Sequence, residues 1–233
     1  MRRPDALIVL QARLGSTRLP GKAMRRIEGY TLVERCLLRL LAGHAAPVIL
    51  ATTTRREDDV LVREAERCGV ASVRGSRDDV LGRFALAASL LQPRYIIRAT
   101  ADNPAVDIDA PGRVLALLRT QPVDYVVEHG LPCGGAIEGL RTEALLDAAE
   151  RSDVPYDREH VTPYVKDPAN GYRVLDAQAP ERVRRPDLRF SIDTPDDLVW
   201  MERVFARAGA AAPTLPLTLL IRAADALSLR EVA

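Results

Sequence analysis

Residues 6–22 read ALIVLQARLGSTRLPGK, an apolar run that passes directly into a cationic loop. The first part, ALIVLQA (6–12), is short and rich in aliphatic and β-branched side chains, which predicts a buried strand. The second part, QARLGSTRLPGK (11–22), carries three cations, two glycines and two hydroxyls but no acid. A strand that opens into such a loop is typical of an α/β sheet with an anion site at the strand's carboxyl end.

The same alternation continues along the chain, with short apolar runs separated by longer helical patterns. We predict strands at 47–53, 70–75, 94–100 and 123–129, and helices at 31–43, 56–69, 78–91 and 109–120. This order predicts a three-layer α/β/α fold whose mainly parallel sheet is covered by helices on both faces.

The alternation loosens after residue 130. We predict a loop entering a strand at 131–140, helices at 142–151 and near 157–166, strands in 172–177 and 188–193, a helix behind Thr194, and a last helix at 217–228. Because no internal repeat or low-complexity linker interrupts the pattern, we expect one domain over 1–233 with an excursion at about 130–175.

Composition and charge indicate which partners and which compartment to expect. The net charge of +1 gives no global basic field, so a nucleic-acid partner is not expected. The three cysteines are scattered, which disfavours disulfides and structural zinc and fits a reducing compartment. The apolar run near the N-terminus has only five residues before polar ones follow, too few for a signal peptide or a membrane span. We therefore expect a cytoplasmic protein without a membrane partner.

The loop at 11–22 has the chemistry of a polyphosphate site. Glycines let backbone N–H groups approach an anion, and arginine and lysine add charge-assisted hydrogen bonds. Five cations follow one another with no acid between them, namely Arg13, Arg18, Lys22, Arg25 and Arg26. The loop matches neither the P-loop nor the dinucleotide-binding pattern. The alternative interpretation is a solvated basic turn.

The loop resembles the N-terminal signature of the cytidylyltransferases that activate acidic sugars. The similarity is closest to the spore-coat polysaccharide biosynthesis protein F family, which is related to the 3-deoxy-manno-octulosonate and acylneuraminate cytidylyltransferases. Four more blocks match in order: RGSRDDVLGRF (74–84), RATADNPAVD (98–107), REHVTPYV (158–165) and SIDTPDDL (191–198). The resemblance covers residues 6 to about 200 and implies a nucleotide-sugar-transferase-like fold.

The resemblance also implies an activity, the transfer of CMP from CTP to a small acidic or sugar acceptor with release of pyrophosphate, in surface-glycan or related biosynthesis. Arg13, Lys22 and Asp102 are the implied catalytic residues. The implied nucleotide-binding residues are Gln11, Ala12, Arg13, Gly15, Ser16, Arg18, Lys22, Arg74 and Asp79. For the last two, a helix start capped by Ser76 is the structural alternative.

Two aspartates follow predicted strands and so are expected at the same edge of the sheet. Asp102 follows the strand at 94–100, and Asp193 ends the run at 188–193. Mg²⁺ needs only one or two carboxylates beside phosphate oxygens. An Asx-turn at Asp102 and a helix start at Asp193 are the structural alternatives. The resemblance implies that both hold Mg²⁺, although Ala101 replaces a glycine common in relatives.

The acceptor side is less well defined. Arg158, Glu159 and His160 recur in the resembled family and are expected to face the acceptor, although a single histidine is more often structural. The segment 133–135, Cys-Gly-Gly, replaces the usual Asp-Gly, which leaves the acceptor's identity open.

The sequence leaves two alternative functions open and also indicates a homodimer. A glycosyltransferase would use a DxD motif, for which DID (107–109) is a poorly placed instance, and a non-catalytic nucleotide-binding protein is the second alternative. We also expect a two-fold homodimer built largely from 130–175, where apolar side chains lie among prolines. That segment could instead fold over its own sheet.

Overall fold

A computed structural model describes residues 3–209 and 213–231. The strands are β1 Ala6–Gln11, β2 Arg26–Ile27, β3 Tyr30–Thr31, β4 Val48–Thr53, β5 Ala71–Gly75, β6 Tyr95–Thr100, β7 Tyr125–His129, β8 Glu138–Arg141 and β9 Val174–Gln178. Seven of them form one sheet in the order β5-β4-β1-β6-β8-β7-β9, and β2 and β3 form a separate small hairpin.

The sheet is mainly parallel. β1 pairs in parallel with β4 and β6, β4 with β5, and β7 with β9. β8 is the exception, because it pairs antiparallel with both β6 and β7 and so separates two parallel blocks. The predicted α/β class and the mainly parallel sheet are confirmed.

Helices cover both faces. They are α1 Leu32–Ala42, α2 Asp59–Arg67, α3 Val80–Leu91, α4 Ala110–Thr120, α5 Thr142–Arg151, α6 Pro155–His160, α7 Pro163–Lys166, α8 Pro195–Arg207 and α9 Leu217–Glu231. Thr31 and Thr194 each cap the helix that follows, in both cases as a capping box with the residue three positions on. Among the described residues, no helix is long and apolar enough to cross a bilayer.

Alternation along β1 divides the core between the two faces of the sheet. Ile8 and Leu10 are buried with α1, α2 and α4, whereas Leu7 and Val9 are buried with α3 and α5. A third apolar cluster lies beneath α8 and α9 and includes Phe190. The central strands are therefore buried on both faces, and their carboxyl ends are fixed in place.

Three sequence-based predictions of secondary structure were wrong: one strand, one continuous helix and one capping residue. Residues 188–193 form no strand of the sheet, because Phe190 N donates to Cys133 O and Ile192 N donates to Asp102 O, so the segment links two loops. The helix predicted near 157–166 is broken into α6 and α7 at Val161, whose φ is 71°. The cap of α3 is Asp79, which accepts from Gly82 N, and not Ser76.

Candidate active site

A cavity of about 490 Å³ lies beyond the carboxyl ends of β1 and β6. Its walls come from five parts of the chain: the first loop, the start of α3, the end of β6 with the loop after it, α6, and the segment before α8. The polar lining residues are Gln11, Arg13, Ser16, Thr17, Arg18, Lys22, Arg77, Arg83, Arg98, Thr100, Asp102, Glu159, His160 and Asp193. Ala12 and Gly15 also line it.

The first loop folds back on itself to form one wall. Gly21 N donates to Leu14 O over 3.2 Å, and Gly21 adopts φ 66°, a left-handed conformation that glycine adopts without strain. Leu14 N donates to Asp58 Oδ1 at 2.8 Å, which ties the loop to the segment before α2. The loop is therefore fixed at both ends, and its basic side chains lie along the cavity.

Lys22 lies at the centre of the predicted metal site. Its Nζ is 3.2 Å from Asp102 Oδ2, 3.2 Å from Asp193 Oδ1 and 3.0 Å from the carbonyl oxygen of Ile192. The two aspartates are 91 positions apart in sequence, and the structure brings them together at one ammonium group. Arg18 and Arg189 also bind Asp193, at 2.9 and 2.7 Å.

Asp193 is held in this position by the start of α8. Its backbone N–H donates to Asp197 Oδ2 at 2.9 Å, and Asp197 in turn completes the capping box with Thr194. The side chain of Asp193 is only 17% exposed. Burial raises the pKa of Asp193, but the hydrogen bond from Lys22 and the charges of Lys22, Arg18 and Arg189 outweigh it and hold that pKa below its usual value.

The donor set around Lys22 fits Mg²⁺. Asp102, Asp193 and the Ile192 carbonyl supply hard oxygen donors, and Mg²⁺ commonly combines one or two carboxylates with water and phosphate. Over residues 3–209 and 213–231, no group of three or more histidine, cysteine or acidic side chains could form a closed metal cage. This donor set therefore suits a metal that arrives with a phosphorylated ligand.

The sequence interpretation missed three arginines in the cavity wall, Arg77, Arg83 and Arg98. Arg83 is only 2% exposed, and its Nη1 donates to the carbonyls of residues 76 and 77 at 2.5 and 3.2 Å. Its Nε has no partner among the described residues. Burial and the nearby charge of Arg13 lower the pKa of Arg83 to about 10. Arg83 therefore places a buried positive charge in the cavity wall, where it favours an anionic ligand.

The segment around α6 closes one side of the cavity. Glu159 Oε1 accepts from Arg13 Nη2 at 2.7 Å, and Arg13 Nη1 donates to the carbonyl of Arg77 at 3.1 Å. His160 also lines the cavity, with its ring 4.4 Å from that of Tyr156. Two of the three residues expected to face the acceptor therefore lie at the cavity that contains the cationic loop.

The other predicted site residues lie outside this cavity wall and have structural contacts. Arg74 donates to the carbonyl of Thr53 at 2.8 Å and pairs with Asp59 at 2.7 Å. Asp79 caps α3 and also accepts from Arg158 Nη2 at 2.5 Å.

The DID segment has a structural role as well. Asp107 is 3% exposed and pairs with Arg113 at 2.7 Å, and Asp109 pairs with Arg182 at 3.4 Å. Neither aspartate lines the cavity. The arrangement thus offers no support for a DxD metal site.

A mainly parallel α/β sheet with a cationic, carboxylate-containing cavity at its carboxyl edge is typical of proteins that bind a phosphorylated ligand. The family model described as cytidylyltransferase matches residues 7–214 of the chain. The chain belongs to the cytidylyltransferase family, which confirms the resemblance drawn from its sequence blocks.

Individual relatives agree with this membership. The chain is 33% identical to the spore coat polysaccharide biosynthesis protein SpsF of Bacillus subtilis (strain 168), over 97% of this chain and 98% of that protein. The 3-deoxy-manno-octulosonate cytidylyltransferase of Methylibium petroleiphilum is 35% identical, over 47% of this chain and 43% of that one.

Two solved structures share the fold. A cytidylyltransferase from Leptospira borgpetersenii superimposes with a TM-score of 0.87 at 26% identity, covering 97% of this chain and 95% of that one. CMP:2-keto-3-deoxy-manno-octonic acid synthetase complexed with CTP gives a TM-score of 0.64 at 16% identity, covering 86% and 98%. The second similarity concerns the fold alone.

Proposed function

We propose that the protein transfers CMP from CTP to a sugar acid and releases pyrophosphate, in surface-glycan or related biosynthesis. The convergence of Asp102 and Asp193 on Lys22, inside a cavity lined by further arginines, carries this proposal. Membership of the cytidylyltransferase family supports it, as do the relatives' names, which refer to polysaccharide biosynthesis and to a sugar acid.

Charge neutralisation is the main task of the protein in this reaction. An acceptor oxygen attacks the α-phosphorus in line while the bond to the pyrophosphate oxygen breaks. Arg13, Arg18 and Lys22 bind the phosphate oxygens from the first loop, and Arg83 adds a buried positive charge from α3. Hydrogen bonds to the carbonyls of residues 76 and 77 fix Arg83 in the cavity wall, so its charge needs little reorganisation in the reaction.

Asp102 and Asp193 would hold Mg²⁺, and when bound the ion supplies neutralising charge at the phosphate oxygens. In the structure Lys22 pairs with both carboxylates, and Arg18 and Arg189 also pair with Asp193. The nucleotide phosphates would take over these cations, which frees carboxylate oxygens for the metal. Binding of nucleotide and metal is therefore expected to be mutually favourable.

Calorimetric titration tests the nucleotide and metal assignments without knowledge of the acceptor. We expect CTP to bind more tightly than ATP, GTP or UTP, and to bind more tightly with Mg²⁺ than with a chelator. Equal affinity for all four nucleotides, or an affinity for CTP that is indifferent to Mg²⁺, would argue against the corresponding assignment.

The acceptor, the assembly and the compartment complete the proposal. Glu159 and His160 face the cavity and would contact the acceptor, whose identity the Cys-Gly-Gly segment at 133–135 leaves open.

The homodimer would use exposed apolar residues of the 130–175 segment, of which Val154 is 54% and Tyr156 63% exposed. The compartment would be the cytoplasm, where Cys36, Cys68 and Cys133, all free in the structure, stay reduced.

A further inference from the structure

The carboxylate of Glu138 binds four side chains, which come from β6, from β7 and from the segment 162–166. Glu138 is the first residue of β8, and its carboxylate is only 13% exposed. It pairs with Arg98 of β6 and accepts from Tyr125 of β7 at 2.5 Å. It also accepts from Thr162 Oγ1 at 2.9 Å and from Lys166 Nζ at 3.3 Å.

One side of this cluster reaches the nucleotide cavity. Arg98 lines the cavity, is 16% exposed, and donates through Nε to Gln11 Oε1 at 3.2 Å. Gln11 is the last residue of β1 and lines the same cavity. A guanidinium held by a carboxylate on one side and an amide on the other has little freedom to leave the cavity wall.

The other side of the cluster reaches the segment that carries Glu159 and His160. Thr162 is 1% exposed, and its N–H donates to the carbonyl of His160 at 2.8 Å, which closes a γ-turn around Val161. Val161 has φ 71° and ψ −48°, a strained conformation for a β-branched residue. Such strain persists only where surrounding contacts fix it, and the buried hydroxyl of Thr162 on Glu138 is one of these contacts.

We propose that Glu138 is a positioning residue that couples the two halves of the site. It holds Arg98 in the wall of the nucleotide subsite and docks the arm, defined as residues 155–166, on the acceptor side. The assignment of the two subsites to nucleotide and acceptor rests on the proposed function. Because one carboxylate holds both Arg98 and the arm, loss of its charge should loosen the arm and also weaken nucleotide binding.

The chain offers a matched control in Glu128 of β7. This glutamate is 5% exposed and binds Arg113 at 2.8 and 2.7 Å, away from the cavity wall. The variants Glu138→Gln and Glu128→Gln therefore each remove the charge from a buried glutamate–arginine pair. If the role of Glu138 is only structural, both variants should lower the unfolding temperature without a specific effect on CTP affinity or on hydrogen exchange in the arm.

The test combines CTP titration in the presence of Mg²⁺ with hydrogen–deuterium exchange of the unliganded protein. For Glu138→Gln we expect about a tenfold weaker affinity for CTP and faster exchange in the arm, where the amides of residues 161, 162 and 166 are hydrogen-bonded. For Glu128→Gln we expect CTP affinity and exchange of the arm as in the wild type.

Thr162→Val separates the two links, because it deletes the hydroxyl and leaves Arg98 paired with Glu138. We expect faster exchange in the arm with CTP affinity within about twofold of wild type. Unchanged exchange in both Glu138→Gln and Thr162→Val, or an equal loss of CTP affinity in Glu128→Gln, would overturn the proposal. A wild-type protein that binds no CTP would refute the proposed function instead, and exchange of the arm would then decide the docking role alone.

Discussion

At the scale of single residues, Lys22 explains how two carboxylates can lie close together. Its ammonium lies within 3.2 Å of Asp102, Asp193 and the carbonyl of Ile192, and it is 17% exposed. Two partly buried carboxylates without this cation would repel each other. The lysine thus preforms the site that we assign to the metal and the phosphates.

The carboxylates themselves provide the first prediction. In Asp102→Asn and Asp193→Asn we expect pyrophosphate release to fall by ~10² or more, the scale for loss of a major electrostatic group. Asp109→Asn serves as the control, because Asp109 is 66% exposed and pairs only loosely with Arg182. Near-normal rates in both site variants would eliminate the metal assignment.

At the scale of elements, β8 joins the two sides of the site to which we assign the acceptor and the nucleotide. It lies between β6 and β7, and Gly139 allows α4 to pack directly on it. A Cβ at Gly139 would meet Val114 Cγ1 at 2.4 Å and Leu118 Cδ1 at 2.8 Å. The absence of a side chain at this position thus sets the distance between the helix and the sheet.

Gly139→Ala is accordingly expected to destabilise the fold by about 1–3 kcal/mol through overpacking. Gly112→Ala in α4 is the matched control, because a Cβ there meets nothing within 4 Å and an exposed helical glycine loses up to about 1 kcal/mol relative to alanine. Urea unfolding should show a lower free energy of unfolding for Gly139→Ala and a higher one for Gly112→Ala, each relative to wild type. A stabilised Gly139→Ala variant would contradict the packing of α4 on β8.

Asp124 gives a prediction for the pH dependence of stability, because it attaches β9 to β7. It accepts from the backbone N–H, Nε and Nη2 of Arg173 at 3.0, 3.0 and 2.9 Å. The hydrogen bond from the Arg173 side chain is the main cause that lowers the pKa of Asp124 from its usual 3.8, against its partial burial. A lowered carboxylate pKa stabilises the fold above the unfolded-state value and ceases to do so as the pH falls through the folded-state value.

In Asp124→Asn the free energy of unfolding should therefore drop by about 1–2 kcal/mol at neutral pH, and this difference from wild type should shrink as the pH falls below about 4. Denaturant titrations from pH 7 to pH 2 measure it. Asp5→Asn removes a 49% exposed partner of Arg119 and should change little at any pH. A difference that is constant with pH would contradict the assignment.

Periodicity predicted most of the parallel strands and their helices because each is a local pattern. The position of β8 could not be predicted in this way, since its antiparallel pairing depends on contacts between distant segments. In the site, the loop and the two aspartates lie in family blocks and could be assigned roles, whereas Arg83, although it lies in the matched block 74–84, resembled an ordinary helical cation. Arg98 could have been recognised from the sequence, because a charged residue inside the otherwise apolar run 95–99 requires a buried partner.

At the scale of the whole molecule, the 130–175 segment divides into buried and exposed parts. Leu131, Val161 and Val165 are buried, so part of the segment does fold over its own sheet. Val154 and Tyr156 stay exposed, and α6 has no buried residue. These two exposed apolar side chains are the residues that the proposed two-fold contact would cover.

Light scattering at micromolar concentration tests the assembly. We expect a mass of about twice the 25.6 kDa of one chain, and a shift toward the single-chain mass in Tyr156→Asp. Val199→Asp on α8 is the control, because Val199 is 54% exposed and lies outside the segment. A wild-type mass near 25.6 kDa would exclude the dimer.

The measurement that tests the central claim most directly is pyrophosphate release from each of the four nucleoside triphosphates, with Mg²⁺ and a panel of sugar acids, followed by mass analysis of the product. We expect pyrophosphate with CTP and one or more of these acids, together with a CMP-linked product. Pyrophosphate released from GTP, ATP or UTP but not from CTP would contradict the cytidylyltransferase assignment.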